Sequence, residues 1–161
     1  MAIVLARVDN RLIHGQVLEA WVPHVHADCI VVVDDELAGD SFRCQLMQAV
    51  VPSSIAVRIC SHAQLEEAGG CDFPPQARVL LLFATPAEAL YAYRHGCRFD
   101  ALNLGNMHAG ACRCCISTTL YMDDQDIEDL EELARLGVDI SAQCVPSDKI
   151  LHWDCRCRKL R

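Results

Sequence analysis

Ala2-Ile3-Val4-Leu5-Ala6-Arg7-Val8-Asp9-Asn10-Arg11-Leu12-Ile13-His14-Gly15-Gln16-Val17 is the stretch whose reading decides the fold. Residues 2–8 are a nearly unbroken apolar run, as in a strand covered on both faces. Residues 16–21 then follow a helical rhythm, so the polar segment between them is a strand-to-helix turn. In an open parallel sheet such turns line the carboxyl edge, where ligands bind, and the helix that follows presents unpaired N–H groups to an anion. His14 sits on that turn among Arg7, Asp9 and Arg11, which suits a phosphoryl acceptor; the position also suits a histidine that only caps or packs.

The same alternation runs outward from this unit. Strand-like segments at Cys29–Val33, 55–60, Arg78–Phe83, Ala101–Leu104, 116–122 and 138–144 are separated by helix-like ones at 41–50, after Ser61, from Pro86 to His95, and at 124–136. Ser61 with Gln64 and Thr85 with Glu88 have capping-box spacing, Pro86 stands at a first helical position, and Gly96 is placed for a left-handed cap. The expectation is a single α/β domain, with a mostly parallel, mixed sheet of about seven strands and helices on both faces. His14 would share its rim with Asp34 and Asp35, with the Ala84-Thr85 turn and with Gly105. Residues 1–150 form that domain, and 151–161 read as a terminal tail, disordered past Trp153.

Composition narrows the function. The chain has 161 residues, 52% hydrophobic and 22% charged, which fits one compact domain. Its formal net charge of −8 argues against nucleic acid as a partner. Membrane-span and export patterns are absent, so a cytoplasmic protein is expected. Eleven cysteines, an odd number, fit free thiols better than a disulfide framework. Cys29, Cys44, Cys60, Cys97 and Cys144 read as small core or near-core residues. Cys112, Cys114 and Cys115, and Cys155 with Cys157, lack the paired C-x-x-C spacing of a structural zinc site, so no metal is expected. No cofactor is expected either, because the first turn carries neither G-x-G-x-x-G nor a P-loop.

Phosphoryl transfer needs an aligned nucleophile and fixed positive charge around the moving oxygens. Neutral imidazole supplies the nucleophile near pH 7, and its phosphoramidate is labile enough to pass the group onward. Arg11 could reach the phosphoryl oxygens with its guanidinium fork, beside N–H groups that follow Gly15, while Asp9 could hold the arginine or orient the ring. Asp9 and Arg11 could equally pair only to shape the turn. His24, His26, His62, His95 and His152 read as surface or structural residues.

The stretch Asp9-Asn10-Arg11-Leu12-Ile13-His14-Gly15-Gln16-Val17 resembles the D-D-R-L-I-H-G-Q-V signature of IIB components of the mannose/fructose/sorbose family of the bacterial phosphoenolpyruvate-dependent sugar phosphotransferase system (PTS). The likeness continues through Val32-Val33-Asp34-Asp35-Glu36, Leu81-Leu82-Phe83 with Pro86, Asn103-Leu104-Gly105-Asn106-Met107-His108 and Gln143-Cys144-Val145-Pro146-Ser147-Asp148. The blocks keep their order over residues 1 to about 150.

This resemblance implies a phosphocarrier that accepts a phosphoryl group on the pros nitrogen of His14 from a phosphohistidine IIA partner. It then passes the group to a sugar through the membrane components IIC and IID, at the inner face of the membrane. Arg11 matches the family arginine near the phosphoryl group and Asp9 the carboxylate before it. The alternative is a regulatory protein that uses the same phosphohistidine as a switch, and either could act as a monomer or a homodimer. Two asparagine departures stand out, Asn10 where the signature has a second aspartate and Asn106 where the later loop, usually N-x-G-G-M-H, has a glycine; a third is the Cys112-Arg113-Cys114-Cys115 loop and the tail, richer in cysteine than the family pattern. Arg7, Gly15, Asp34, Asp35, Gly105, Met107 and His108 are expected at the phosphoryl site or partner surface, with Arg7, Arg11, Val22 and Met107 forming the face that meets IIA.

Overall fold

The structure, a computed structural model, describes residues 2–70, 76–107, 119–153 and the main chain of 114–115. The elements run β1 (Ala2–Val8), a π-helical turn (Val17–Trp21) continuing into α1 (Val22–Val25), β2 (Cys29–Val33), α2 (Asp35–Ala38), α3 (Ser41–Ala49), β3 (Ala56–Cys60), α4 (His62–Glu67) and β4 (Arg78–Phe83). Then come α5 (Pro86–Arg94), β5 (Ala101–Leu104), β6 (Cys114–Cys115), β7 (Tyr121–Met122), α6 (Asp124–Arg135), β8 (Asp139–Ala142) and β9 (Leu151–His152).

Seven strands form one sheet in the order β3-β2-β4-β1-β5-β8-β9, parallel from β3 to β8 and antiparallel between β8 and β9. β1 lies between β4 and β5, so the turn after it opens at the middle of the carboxyl rim. The sequence explains the central position: β2 and most of β4 are buried along their length, as strands covered by helices on both sides must be. Alternate residues of β4 enter opposite cores. Val79, Leu81 and Phe83 pack with Ala89, Leu90, Ile127, Leu130 and Leu133 of α5 and α6, whereas Leu80 and Leu82 pack with Leu12, Ile13, Val17, Val22 and Leu37.

The expected α/β class, parallel core and seven-strand count are found, with two elements reassigned. Of the strand expected at 116–122, the described part does not join the main sheet; β7 pairs antiparallel with β6 in a separate two-stranded ladder. The seventh strand is instead β9, within the expected tail. Leu151 pairs with Ala142 and His152 with Ser141, and the Trp153 N–H donates to Ile140 O at 2.8 Å. An exposed two-residue edge strand has no apolar period to betray it. The expected disorder beyond Trp153 falls outside the described residues.

Capping is as the spacing implies. Ser61 with Gln64 and Thr85 with Glu88 form complete capping boxes, and Asp123 with Asp126 forms a third at the start of α6. Gly96 adopts φ 104°, the left-handed cap. Cys29, Cys44, Cys60 and Cys144 are free thiols, and burial raises the pKa of Cys29 and Cys60. Cys97 departs from the free-thiol expectation: it is fully buried and disulfide-bonded, with its partner outside the described residues.

The Glu88 carboxylate accepts from the Ala84 N–H at 2.8 Å and the Thr85 N–H at 3.0 Å, yet burial and the nearby Asp34 charge push its pKa up to about 7 from 4.5. A raised acid pKa favours the folded state while the group is protonated, so stability should fall as pH rises from about 4.5 to 7 and level off above. Glu88→Gln keeps an acceptor for both N–H groups and removes the charge. Urea titrations from pH 4.5 to 8 should find that slope flattened and the variant more stable above pH 7 by roughly 2–3 kcal/mol; an unchanged slope would show that Glu88 is ionised throughout.

Candidate active site

The chain leaves β1 through a tight turn. Asp9 N–H donates to Phe83 O at 2.9 Å, Asn10 N–H to Asn106 O at 2.9 Å, and Leu12 N–H back to Asp9 O at 2.9 Å. Leu12 is buried with φ 53°, a left-handed backbone that costs a residue with a side chain roughly 1–2 kcal/mol. Burial of Leu12 and Ile13 in the core beneath holds the loop in this shape. The Leu12 carbonyl lies 2.9 Å from His14 Nδ1.

Asp9, fully buried, is the centre of the site. Its Oδ2 accepts from Arg7 Nη2 at 2.8 Å, and its Oδ1 accepts from the Arg11 N–H at 3.2 Å and Arg11 Nε at 3.3 Å. His14 Nε2 lies 3.8 Å from Asp9 Oδ2. Arg11 is 44% exposed in its side chain and also donates to Gln16 Oε1 at 2.8 Å. Arg7, Asp9 and Arg11 together carry a net charge of +1 within a chain of −8.

The imidazole is 15% exposed and both its nitrogens are engaged or enclosed. A carbonyl can only accept, so Nδ1 carries the proton that faces Leu12 O, and Nε2 is buried beside Asp9 with no hydrogen-bond partner among the described residues. Helical bonding begins with Leu18 N–H to His14 O at 3.0 Å, so the first N–H groups of this helix surround His14. Gly15, exposed in that first turn, has a negative φ, and beyond its own helix and chain neighbours a Cβ there would meet none of the described residues within 4 Å.

Arg7 corrects the expected partner face. It is 0% exposed: Nη1 donates to Asn103 Oδ1 and to Gln143 O at 3.0 Å, Nη2 donates to Asp9 and to Cys144 O at 3.2 Å, and the guanidinium lies 5.0 Å from the centre of the Trp21 ring. Burial lowers its pKa and Asp9 counters that shift. Val22 and Met107 are buried too, at 6% and 3%, because the core claims both. Of the four residues expected to meet a partner, Arg11 alone is exposed.

Gly105 serves Arg7. A Cβ at 105 would lie 2.0 Å from Arg7 Nη2 and 2.6 Å from Asp9 Oδ2. Its φ is not left-handed, and neither is that of Asn106, so the loop tolerates asparagine there without strain. The two departures from the signature meet: Asn106 Nδ2 donates to Asn10 Oδ1 at 2.7 Å.

Asp34 and Asp35 lie on the rim but are occupied elsewhere. Asp34 caps α2 through Leu37 N–H at 2.6 Å, and Asp35 binds the His62 N–H at 2.7 Å and pairs with His62 Nδ1 at 3.0 Å. His108 lies outside the described residues, as do the side chains of Cys112, Cys114, Cys115, Cys155 and Cys157. Among the described residues no three His, Cys, Asp or Glu side chains are grouped to hold a metal. Asn103 and Trp21 were not anticipated as site-shaping residues; Asn103, a polar residue inside an apolar strand, was the available signal, and Trp21 Nε1 donates to Cys144 O at 3.0 Å.

Two outcomes test this geometry. Gly105→Ala must displace a guanidinium pinned by a carboxylate, an amide and two carbonyls, so denaturant unfolding should register a loss of roughly 2–4 kcal/mol; wild-type stability would mean that Arg7 moves freely. Long-range ¹⁵N–¹H spectra of the imidazole should find His14 protonated on Nδ1, the tautomer bound to Leu12 O, and a lone pair on Nδ1 would refute the assignment.

Residues 3–160 match the family model described as PTS system sorbose subfamily IIB component. The fructose-specific EIIB component of Bacillus subtilis (strain 168) is 33% identical over 148 residues, covering 92% of this chain and 91% of that protein. The mannose-specific EIIAB component of Escherichia coli (strain K12) is 30% identical over 92% of this chain but only 46% of its own length. Among solved structures, the IIBSor domain of the sorbose permease from Klebsiella pneumoniae superposes with a TM-score of 0.86 at 30% identity, covering 94% of this chain and 93% of that one. With the family model matched over residues 3–160 and the fold shared over 94% of its length, the chain belongs to the sorbose-subfamily IIB components of the PTS.

Proposed function

We propose that this protein is a phosphocarrier that accepts a phosphoryl group on His14 from a phosphohistidine of a IIA partner. It then delivers the group to a sugar bound by IIC and IID components in the membrane. The observation that carries the reading is the arrangement around one imidazole: a buried Asp9 joined to two arginines, a helix start at the next residue, and a local charge of +1. Phosphotransferase activity follows from the family; the choice of His14 rests on this arrangement.

In the transfer step the nitrogen–phosphorus bond of the donor breaks as one forms to His14, and the group passes as a metaphosphate-like species with charge spread over its oxygens. Arg11, half exposed and tethered by Asp9, can turn toward those oxygens, and the N–H groups of the first helical turn add fixed dipoles. The family resemblance favours the pros nitrogen, Nδ1. Nδ1 faces Leu12 O with its proton and Nε2 faces Asp9, so before Nδ1 accepts a phosphoryl group the ring must turn out of both contacts and exchange its proton through solvent from Nδ1 to Nε2, which frees the Nδ1 lone pair for the new bond.

The IIA donor is supported by the EIIAB relative, of which this chain matches just under half. No helix among the described residues is long and apolar enough to cross a membrane. The proposed meeting with IIC and IID is a docking event at the inner face of the membrane.

Incubation with phosphorylated IIA, followed by intact mass analysis, tests the reading. Wild type should gain one acid-labile phosphoryl group and His14→Ala none. A folded wild-type protein that gains nothing, or a label that survives in the variant, would reject His14 as the carrier.

A further inference from the structure

Between Asp9 and the start of the helix, the loop carrying His14 has two described hydrogen bonds to another element, and both join Asn10 to Asn106. The Asn10 N–H donates to Asn106 O at 2.9 Å, and Asn106 Nδ2 donates to Asn10 Oδ1 at 2.7 Å. The residues are 96 apart in sequence. Together the bonds close a ring between the turn after β1 and the turn after β5. We infer that this Asn10–Asn106 bridge is a positioning pair for phosphoryl transfer, fixing where the His14 loop sits over the rim.

The loop is otherwise held from below. Asp9 is gripped by the buried Arg7, which is anchored to Asn103 of β5 and to the carbonyls of Gln143 and Cys144. That grip sets the carboxylate, and burial of Leu12 and Ile13 holds the loop from beneath. The bridge adds a lateral attachment one residue after Asp9, on the His14 side, that ties the loop to the turn after β5. It also does so with neutral groups. A carboxylate at position 10 could accept the same bond but would cancel the +1 charge of Arg7, Asp9 and Arg11 beside which a phosphoryl group has to arrive. An amide restrains the loop and leaves the field intact.

This inference rests on the phosphocarrier reading for its kinetic arm, and its spectroscopic arm is independent of it. Asn10→Ala, Asn106→Ala and the double variant would be compared in single-turnover transfer from phosphorylated IIA across donor concentrations, with thermal unfolding alongside. Each single variant should lower the transfer rate at saturating donor about tenfold, with the half-saturating concentration changed less than about twofold, and the double variant should be no slower than either single.

Additive losses, a rise in half-saturation at constant maximal rate, or a lowered Tm with unaltered transfer would each overturn the positioning role. In the second arm, the His14 ring nitrogens should give a single tautomer in wild type and broadened, averaged shifts in Asn106→Ala. Unaltered His14 shifts in that variant would overturn the inference. Failure of wild type to be phosphorylated would reject the carrier reading alone, and the spectra would then decide the bridge by themselves.

Discussion

The ion pair between Arg7 and Asp9, both 0% exposed, governs much of what surrounds it. Two charges withdrawn from water carry a desolvation cost of several kcal/mol each, recovered only where the remaining donors and acceptors are satisfied. The fold meets that condition with an amide on β5, two carbonyls in the segment after β8 and the face of Trp21. Each is a constraint on a different element. Through one guanidinium, the ends of β1, β5 and β8 and the helix after His14 become mutually fixed, and Gly105 has no side chain because that guanidinium occupies the space.

That arrangement separates two jobs often assigned to arginines at phosphate sites. Arg7 builds and charges the floor but cannot reach a ligand; Arg11, sharing the same carboxylate, reaches solvent. Asp9 therefore orients the mobile arginine while its own position is set from inside. The loop above stores backbone strain at Leu12, whose carbonyl sets the resting tautomer of His14. Orientation of the ring thus depends on core packing beneath Leu12 and Ile13 as much as on polar neighbours.

Much of this was legible in the chain. The apolar runs of β1, β2 and β4 and the capping spacings at Ser61 and Thr85 are local signals, and each element formed where they lie. Elements without such a signal were misplaced. β9 has two exposed residues and no period, and the segment at 116–122 looked like a sheet strand because local pattern cannot say which partner a strand will find. Arg7 was read as surface because arginine is rarely buried without partners, and its carbonyl partners lie 136 and 137 residues away. The cluster of Asp9, Arg11 and His14 was readable since all three lie within one turn; the contact of Asn10 with Asn106 was not, since only the parallel register of β1 and β5 brings the two together.

Gly15 carries a consequence of another kind. In a helix, glycine forfeits about 1 kcal/mol relative to alanine, and here a methyl group would strain no backbone and, beyond its own helix and chain neighbours, would touch no atom of the described residues. Intramolecular fitness would favour filling the position. The bareness makes sense from outside: on the proposed route two proteins close face to face with one phosphorus atom between their imidazoles, and a methyl group at this point would act as a shim. A misplacement of ~1 Å in such an encounter can cost on the order of a hundredfold in rate. On the proposed phosphocarrier route, the missing side chain would be a clearance, measured against another molecule's surface.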